Sequence, residues 1–153
     1  MIGWLLDTNV ISELRRPRPE PRVAAFIAAQ PLDRLFLSVV TLAEIRFGIE
    51  RVHDAGRRAD LNDWLNLKVR PMFERRVLPV SEDVMLKWRL LVEQGRKSGH
   101  TFSQPDLIIG ATALHHGLTV VSRDAADYLR AGVPLLDPWE SGAAPAQVRH
   151  GLR

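Results

Sequence analysis

Apolar and polar positions fall into short blocks along this chain, and each block predicts an element. Ile2 to Leu6 is a brief apolar run that stops on Asp7, and the turn-prone Asp7-Thr8-Asn9 leads directly into a helical pattern over about residues 9–16. "RRPRPEPR" (15–22) breaks that helix with three prolines and opens another, Arg22 to Gln30. "LFLSV" (35–39) is a second β-rich run. From Thr41 the period changes: Leu42, Ile45, Ile49 and Val52 recur at helical spacing, with Glu44, Gly48 and Arg51 off the apolar stripe. Residues 57–76 predict further helix, interrupted or kinked at Pro71, and "VLPV" (77–80) is a third strand candidate.

After Ser81, the positions Val84, Trp88, Leu91 and Val92 mark a long amphipathic helix that fades into the basic loop "GRKSGH" (95–100). "PDLIIGATALHHG" reads as a tightly packed helix, with Pro105 in its first turn and Gly117 as its C-cap. "LTVVS" (118–122) predicts a fourth strand, a short helix runs through Leu129, and "VPLL" (133–136) is a last edge strand. Strands alternating with helices predict a mostly parallel central sheet of four to five strands covered on both faces, a three-layer α/β/α domain over 1–140. The tail 141–153 has no periodicity, and the chain shows no internal repeat.

Composition narrows the function classes. The 153 residues are 46% hydrophobic and 25% charged, which predicts one soluble, packed domain. There is no cysteine, so disulfides, thiolate nucleophiles and Cys-ligated zinc are excluded, and a reducing, cytoplasmic setting is expected. No signal peptide or membrane span is read from the sequence, so no membrane partner is expected. A net charge of +3 tilts mildly toward polyanionic partners.

The chemistry is carried by acids. In open α/β sheets ligands bind beyond the carboxyl ends of the strands. Asp7 ends strand one, Asp124 follows the "TVVS" run, and Glu44 and Asp106 are expected in the first turns of their helices. These four are 37, 62 and 18 residues apart along the chain, so only folding brings them together. Four clustered carboxylates repel one another unless they hold a hard cation, and Mg²⁺ or Mn²⁺ prefers such oxygen ligands. A plainer reading competes for two of them. "TLAE" (41–44) fits a capping box with Thr41 as N-cap, "SQPD" (103–106) fits the same pattern, and acids in first turns also answer the helix dipole. Asp7 resists that reading, because a carboxylate ending a buried strand is costly unless it is paired or metal-bound.

"LLDTNVISEL", "LSVVTLAEIRFGI", "PDLIIGATALHHGL" and "VVSRDAADY" together resemble the successive motifs of PIN-domain ribonucleases, more closely the VapC-type toxins of toxin-antitoxin pairs. The resemblance runs from about Ile2 to Trp139. It implies a PIN-like fold and a metal-dependent endoribonuclease that uses Mg²⁺, or Mn²⁺, with the acidic quartet on Asp7, Glu44, Asp106 and Asp124. Asp7 and Asp106 would be the firmest ligands, Glu44 and Asp124 would complete the site directly or through water, and Ser122 and Asn9 would support it. Many relatives have Thr where Ser122 stands and Phe where Tyr128 stands. The resemblance also implies attack by water rather than by the ribose 2′-oxygen, leaving 5′-phosphate and 3′-hydroxyl ends. As partners it implies an RNA substrate, a second copy of the chain, a VapB-type antitoxin, and DNA only through that antitoxin.

Other features weigh less. His115 and His116 project about 100° apart on a helix and do not readily share one ion. Arg15, Arg16, Arg18, Arg22, Arg96, Lys97 and Arg123 could guide an RNA backbone, or simply form a solvated face. A phosphatase of the haloacid-dehalogenase kind needs a second acid two positions after the first, where Asn9 stands, and a phospho-receiver needs an adjacent acidic pair at a strand end. A catalytically silent PIN-like module that only binds RNA or protein would be expected to have lost an acid, and all four are present.

Overall fold

The computed structural model describes residues 2–102 and 104–140. The tail and Ser103, the N-cap expected for "SQPD", lie outside the described residues. Strands β1 (Trp4–Leu6), β2 (Leu35–Ser38), β3 (Val77–Leu78), β4 (Thr119–Val121) and β5 (Leu135–Leu136) form one parallel sheet in the order β3-β2-β1-β4-β5. Helices α1 (Thr8–Arg15) and α2 (Pro21–Ala28) follow β1. After β2 come α3 (Val39–Glu50), α4 (Ala55–Trp64) and the short α5 (Arg70–Met72). Helices α6 (Glu82–Lys97) and α7 (Gln104–His116) precede β4, and α8 (Ala125–Arg130) joins β4 to β5.

The sheet separates two apolar layers by the two-residue alternation of its strands. Trp4, Leu6, Leu35, Leu37, Val121 and Leu136 face α1, α2, α3 and the α4–α5 segment, while Leu5, Val120 and Leu135 face α7 and α8. Helix α6 packs behind α7 through Val84, Leu91, Leu107 and Ala111. Trp64 packs against the first layer and Trp88 against the α6–α7 seam. Among the described residues no helix is long and apolar enough to cross a membrane.

Three sequence expectations shift. Helix α3 starts at Val39, with Ser38 as N-cap accepting from the Val40 N–H at 3.0 Å, so Thr41 is not the cap and Glu44 stands in the second turn. The reason is tertiary: strand β2 ends on a fully buried Ser38 whose hydroxyl takes up an orphan helix N–H, and Val39-Val40, β-formers by propensity, are drawn into the first helical turn. The interruption expected at Pro71 arrives one turn early, as a π turn over Leu65–Val69, because proline has no N–H and its ring crowds the carbonyl four residues back. Helix α6 also runs through Lys97 rather than ending before "GRKSGH". Its acidic first turn and basic last turn both suit the helix dipole.

The chain lays β2 and β3 on one side of β1 and β4 and β5 on the other. The order therefore reverses between β1 and β4, and a crevice opens beyond the carboxyl ends of that pair.

Candidate functional site

Asp7 extends the β1–β4 ladder by one residue, its N–H donating to the Val121 carbonyl at 3.0 Å, and then caps α1 through its side chain. It is 3% exposed. An uncompensated carboxylate at that depth is costly, and three donors hold it: Thr8 N–H on Oδ1 at 2.8 Å, Ser122 Oγ on Oδ2 at 2.8 Å and Tyr128 Oη on Oδ2 at 3.0 Å.

Ser122, the residue after β4, is fully buried and uses its whole hydrogen-bonding capacity. It donates to Asp7 and accepts from Asn9 Nδ2 and from the Asp124 N–H, each at 3.0 Å. Asn9 also donates to Asp124 Oδ2 at 3.2 Å, and its own Oδ1 accepts from the Arg123 N–H. Residues more than 110 positions apart in the chain are thus fastened into one polar seam.

Glu44 and Asp106 complete an open cleft of about 580 Å³ whose lining includes Asp7, Asn9, Glu44, Asp106 and Asp124. All four expected acids therefore meet there with Asn9, and Ser122 is buried next to them, bonded to Asp7 and Asn9. Their mutual charge is felt. Burial, then repulsion from Asp7, Asp124, Glu44 and Asp127, pushes the Asp106 carboxyl up to about 7. Burial and the Asp7 charge raise Glu44. Burial raises Asp7, opposed by its hydrogen bonds to Ser122, Thr8 and Tyr128 and aided by Asp124.

The donor set suits a hard divalent cation. It is all oxygen, and among the described residues none of the four carboxylates is within ion-pair distance of a lysine or arginine. Among those residues, too, no group of three or more acidic, histidine or cysteine side chains is drawn tightly enough to enclose an ion. His115 and His116 sit at the far end of α7, nine and ten residues beyond Asp106 and so about 14–15 Å along the helix, and neither lines the cleft.

Of the basic residues, Arg15, Arg16 and Arg123 line the cleft, whereas Arg18, Arg22, Arg96 and Lys97 do not. Arg123 lies over the Trp139 ring at 4.7 Å and Arg15 over Trp64 at 6.0 Å. Two site features escape sequence reasoning. Glu13, on α1, is 5% exposed; it accepts from the Glu20 N–H at 3.1 Å and pairs with Arg16 at 3.3 Å, so it ties down the proline-rich turn beside the cleft. The Tyr128 hydroxyl on Asp7 is the other. A residue four positions before the first proline of the break and an aromatic four after an acid were the available signals, and neither announces a buried hydrogen bond.

A family model described as the PIN domain matches residues 4–132. The chain is 39% identical over 136 residues to the VapC ribonuclease Y4jK of Sinorhizobium fredii, covering 89% of this chain and 97% of that one. Among solved structures it resembles FitAcB from Neisseria gonorrhoeae, with a TM-score of 0.85 at 35% identity over 90% of this chain and 99% of that one. It also resembles a chain of a toxin-antitoxin complex from Klebsiella pneumoniae, with a TM-score of 0.62 at 26% identity over 90% and 99% of the two chains.

Proposed function

We infer, from the premise that this chain belongs to the PIN-domain family, that it is an endoribonuclease of the VapC type, the toxin of a toxin-antitoxin pair, and that it depends on Mg²⁺ or Mn²⁺. The observation that supports the cation dependence best is the crowding of Asp7, Glu44, Asp106 and Asp124 in one cleft with no cationic side chain among the described residues paired to any of them. Asp7 and Asp106 would hold the ion, and Glu44 and Asp124 would complete its surroundings directly or through water. Such an ion supplies the acidity that turns water into a nucleophile and the positive charge that stabilises the departing oxygen.

The protein's own groups do the rest. Ser122 and Tyr128 fix the Asp7 carboxylate, Asn9 ties Asp124 to Ser122, and the Thr8–Asp7 contact keeps the start of α1 registered on the cleft. Arg15, Arg16 and Arg123 on the cleft wall give the phosphodiester backbone a positive margin beside the acids. In this reading the protein acts in the cytoplasm as a homodimer on RNA, is silenced by a VapB-type antitoxin, and reaches DNA only through that antitoxin. The silent binding module is disfavoured, since all four acids are retained and line the same cleft.

The test is RNA cleavage by purified protein in Mg²⁺ or Mn²⁺, with an EDTA control and an Asp7→Asn variant. The expected products carry 5′-phosphate and 3′-hydroxyl ends, and both EDTA and the variant abolish them. Equal cleavage by wild type and variant removes the role given to Asp7, and cyclic 2′,3′-phosphate ends remove the water-attack chemistry. Mapping those ends in total RNA after induced expression identifies the target.

A further inference from the structure

Tyr128 is the largest of the fully buried side chains, at 2% exposure, yet it carries a polar atom into the core. Its ring is seated between α7 and the start of β5. A Cβ on Gly110 would lie 3.6 Å from the ring and 3.1 Å from Val133, and the seam bounded by Asp106, Gly110, Tyr128 and Val133 has no space for a water molecule. The hydroxyl is therefore delivered to one place, Asp7 Oδ2, at 3.0 Å. Ser122 Oγ reaches the same oxygen at 2.8 Å.

A carboxylate offers about four acceptor sites, two on each oxygen. Two O–H donors fill Oδ2 and the Thr8 N–H takes one site on Oδ1, which leaves Oδ1 with acceptor capacity to spare. We propose that Tyr128 is a positioning residue for cation binding: with Ser122 it clamps the inner oxygen of Asp7, so that the carboxylate cannot rotate and its outer oxygen is held ready for a divalent ion. The proposal rests on the reading that Asp7 is a cation ligand. Hydrogen-bonded partners that orient a metal-ligating carboxylate commonly change metal affinity by about 10- to 100-fold when removed.

Tyr128→Phe keeps the ring and removes only the donor. Mn²⁺ is titrated calorimetrically into metal-free wild type, Tyr128→Phe, Ser122→Ala and the double variant without RNA, and each is melted in EDTA to check its fold. The expected result is a Kd for Mn²⁺ about tenfold weaker in Tyr128→Phe, with the double variant departing from the product of the two single effects, because both hydroxyls serve one oxygen. Wild type that binds Mn²⁺ beside a Tyr128→Phe variant whose Kd lies within twofold of it, whatever its melting temperature, makes Tyr128 a packing residue and overturns the proposal alone. Effects that multiply independently overturn the shared clamp. Wild type that takes up no Mn²⁺ overturns the cation reading of Asp7, and this proposal with it.

Discussion

Ser122 Oγ lies 2.8 Å from Asp7 Oδ2, and the two residues are 115 positions apart in the chain. That one bond joins the carboxyl ends of β1 and β4, the two strands between which the sheet order reverses.

Replacing Ser122 by Ala removes a donor from Asp7 and leaves the Asn9 amide and the Asp124 N–H without the oxygen they share. Asn9 keeps its bond to Asp124 and Asp124 is exposed, so the cost is mainly that of the buried bond to Asp7, about 1–3 kcal/mol. The variant is expected to melt lower and to cleave RNA about 10- to 100-fold more slowly. Ser122→Thr keeps the hydroxyl and should cleave faster than Ser122→Ala. Initial cleavage rates beside thermal melts check both expectations.

Metal-free protein should lose stability as pH rises from about 4 to about 7. Asp106 titrates from the ordinary 3.8 in the unfolded chain to about 7 in the fold, so between those values the folded state binds the extra proton. Its stabilising contribution is complete below 3.8 and is lost as pH climbs through 7, and the raised Asp7 and Glu44 carboxyls act in the same direction. The move caps the Asp106 contribution at about 4 kcal/mol, and solvent screening at this partly exposed position brings it to about 1–2 kcal/mol. Denaturant titrations in EDTA across that range should show the decline, and Asp106→Asn should flatten it.

Divalent cation should reverse that loss. A ligand bound only by the folded state stabilises it by about 2.7 kcal/mol at a hundredfold excess over Kd. At pH 8, Mg²⁺ is therefore expected to raise the melting temperature by several degrees, EDTA to return it, and Asp7→Asn or Asp106→Asn to abolish the response. A melting temperature indifferent to Mg²⁺ in wild type would count against the site.

Arg123 lines the cleft while its guanidinium rests on Trp139, an arrangement that holds a positive charge near the acids without neutralising them. Arg123→Ala should weaken RNA binding to the Asp7→Asn protein and lower the slope of log K against log salt by about one. Binding measured from 50 to 300 mM salt tests it, and an unchanged slope sets Arg123 apart from the substrate.

The architecture was readable because its signals are local: apolar runs ending at turn-formers gave the strands, and Leu42, Ile45 and Ile49 gave the buried stripe of α3. The meeting of Asp7 and Asp124 followed from their places after β1 and β4. The N-terminus of α3 was misread because "TLAE" imitates a cap, whereas the true cap, Ser38, is chosen by the strand that buries it. Glu13 looks like a surface acid on an amphipathic helix until the chain folds back to put the Glu20 N–H on it. Tyr128 could be seen to differ from Phe, but where its hydroxyl ends is decided by α7 packing over the ring.

Two of the three bonds that secure Asp7, both on its Oδ2, come from residues 122 and 128, near the far end of the folded domain. During synthesis Asp7, Glu44 and Asp106 all leave the ribosome before β4 exists, and the closure that joins the two ends of the domain is the slow, long-range kind. A nascent chain halted before Val121 is expected to cut no RNA although it already carries three of the four acids, so the activity is tied by the topology to completion of the last strands.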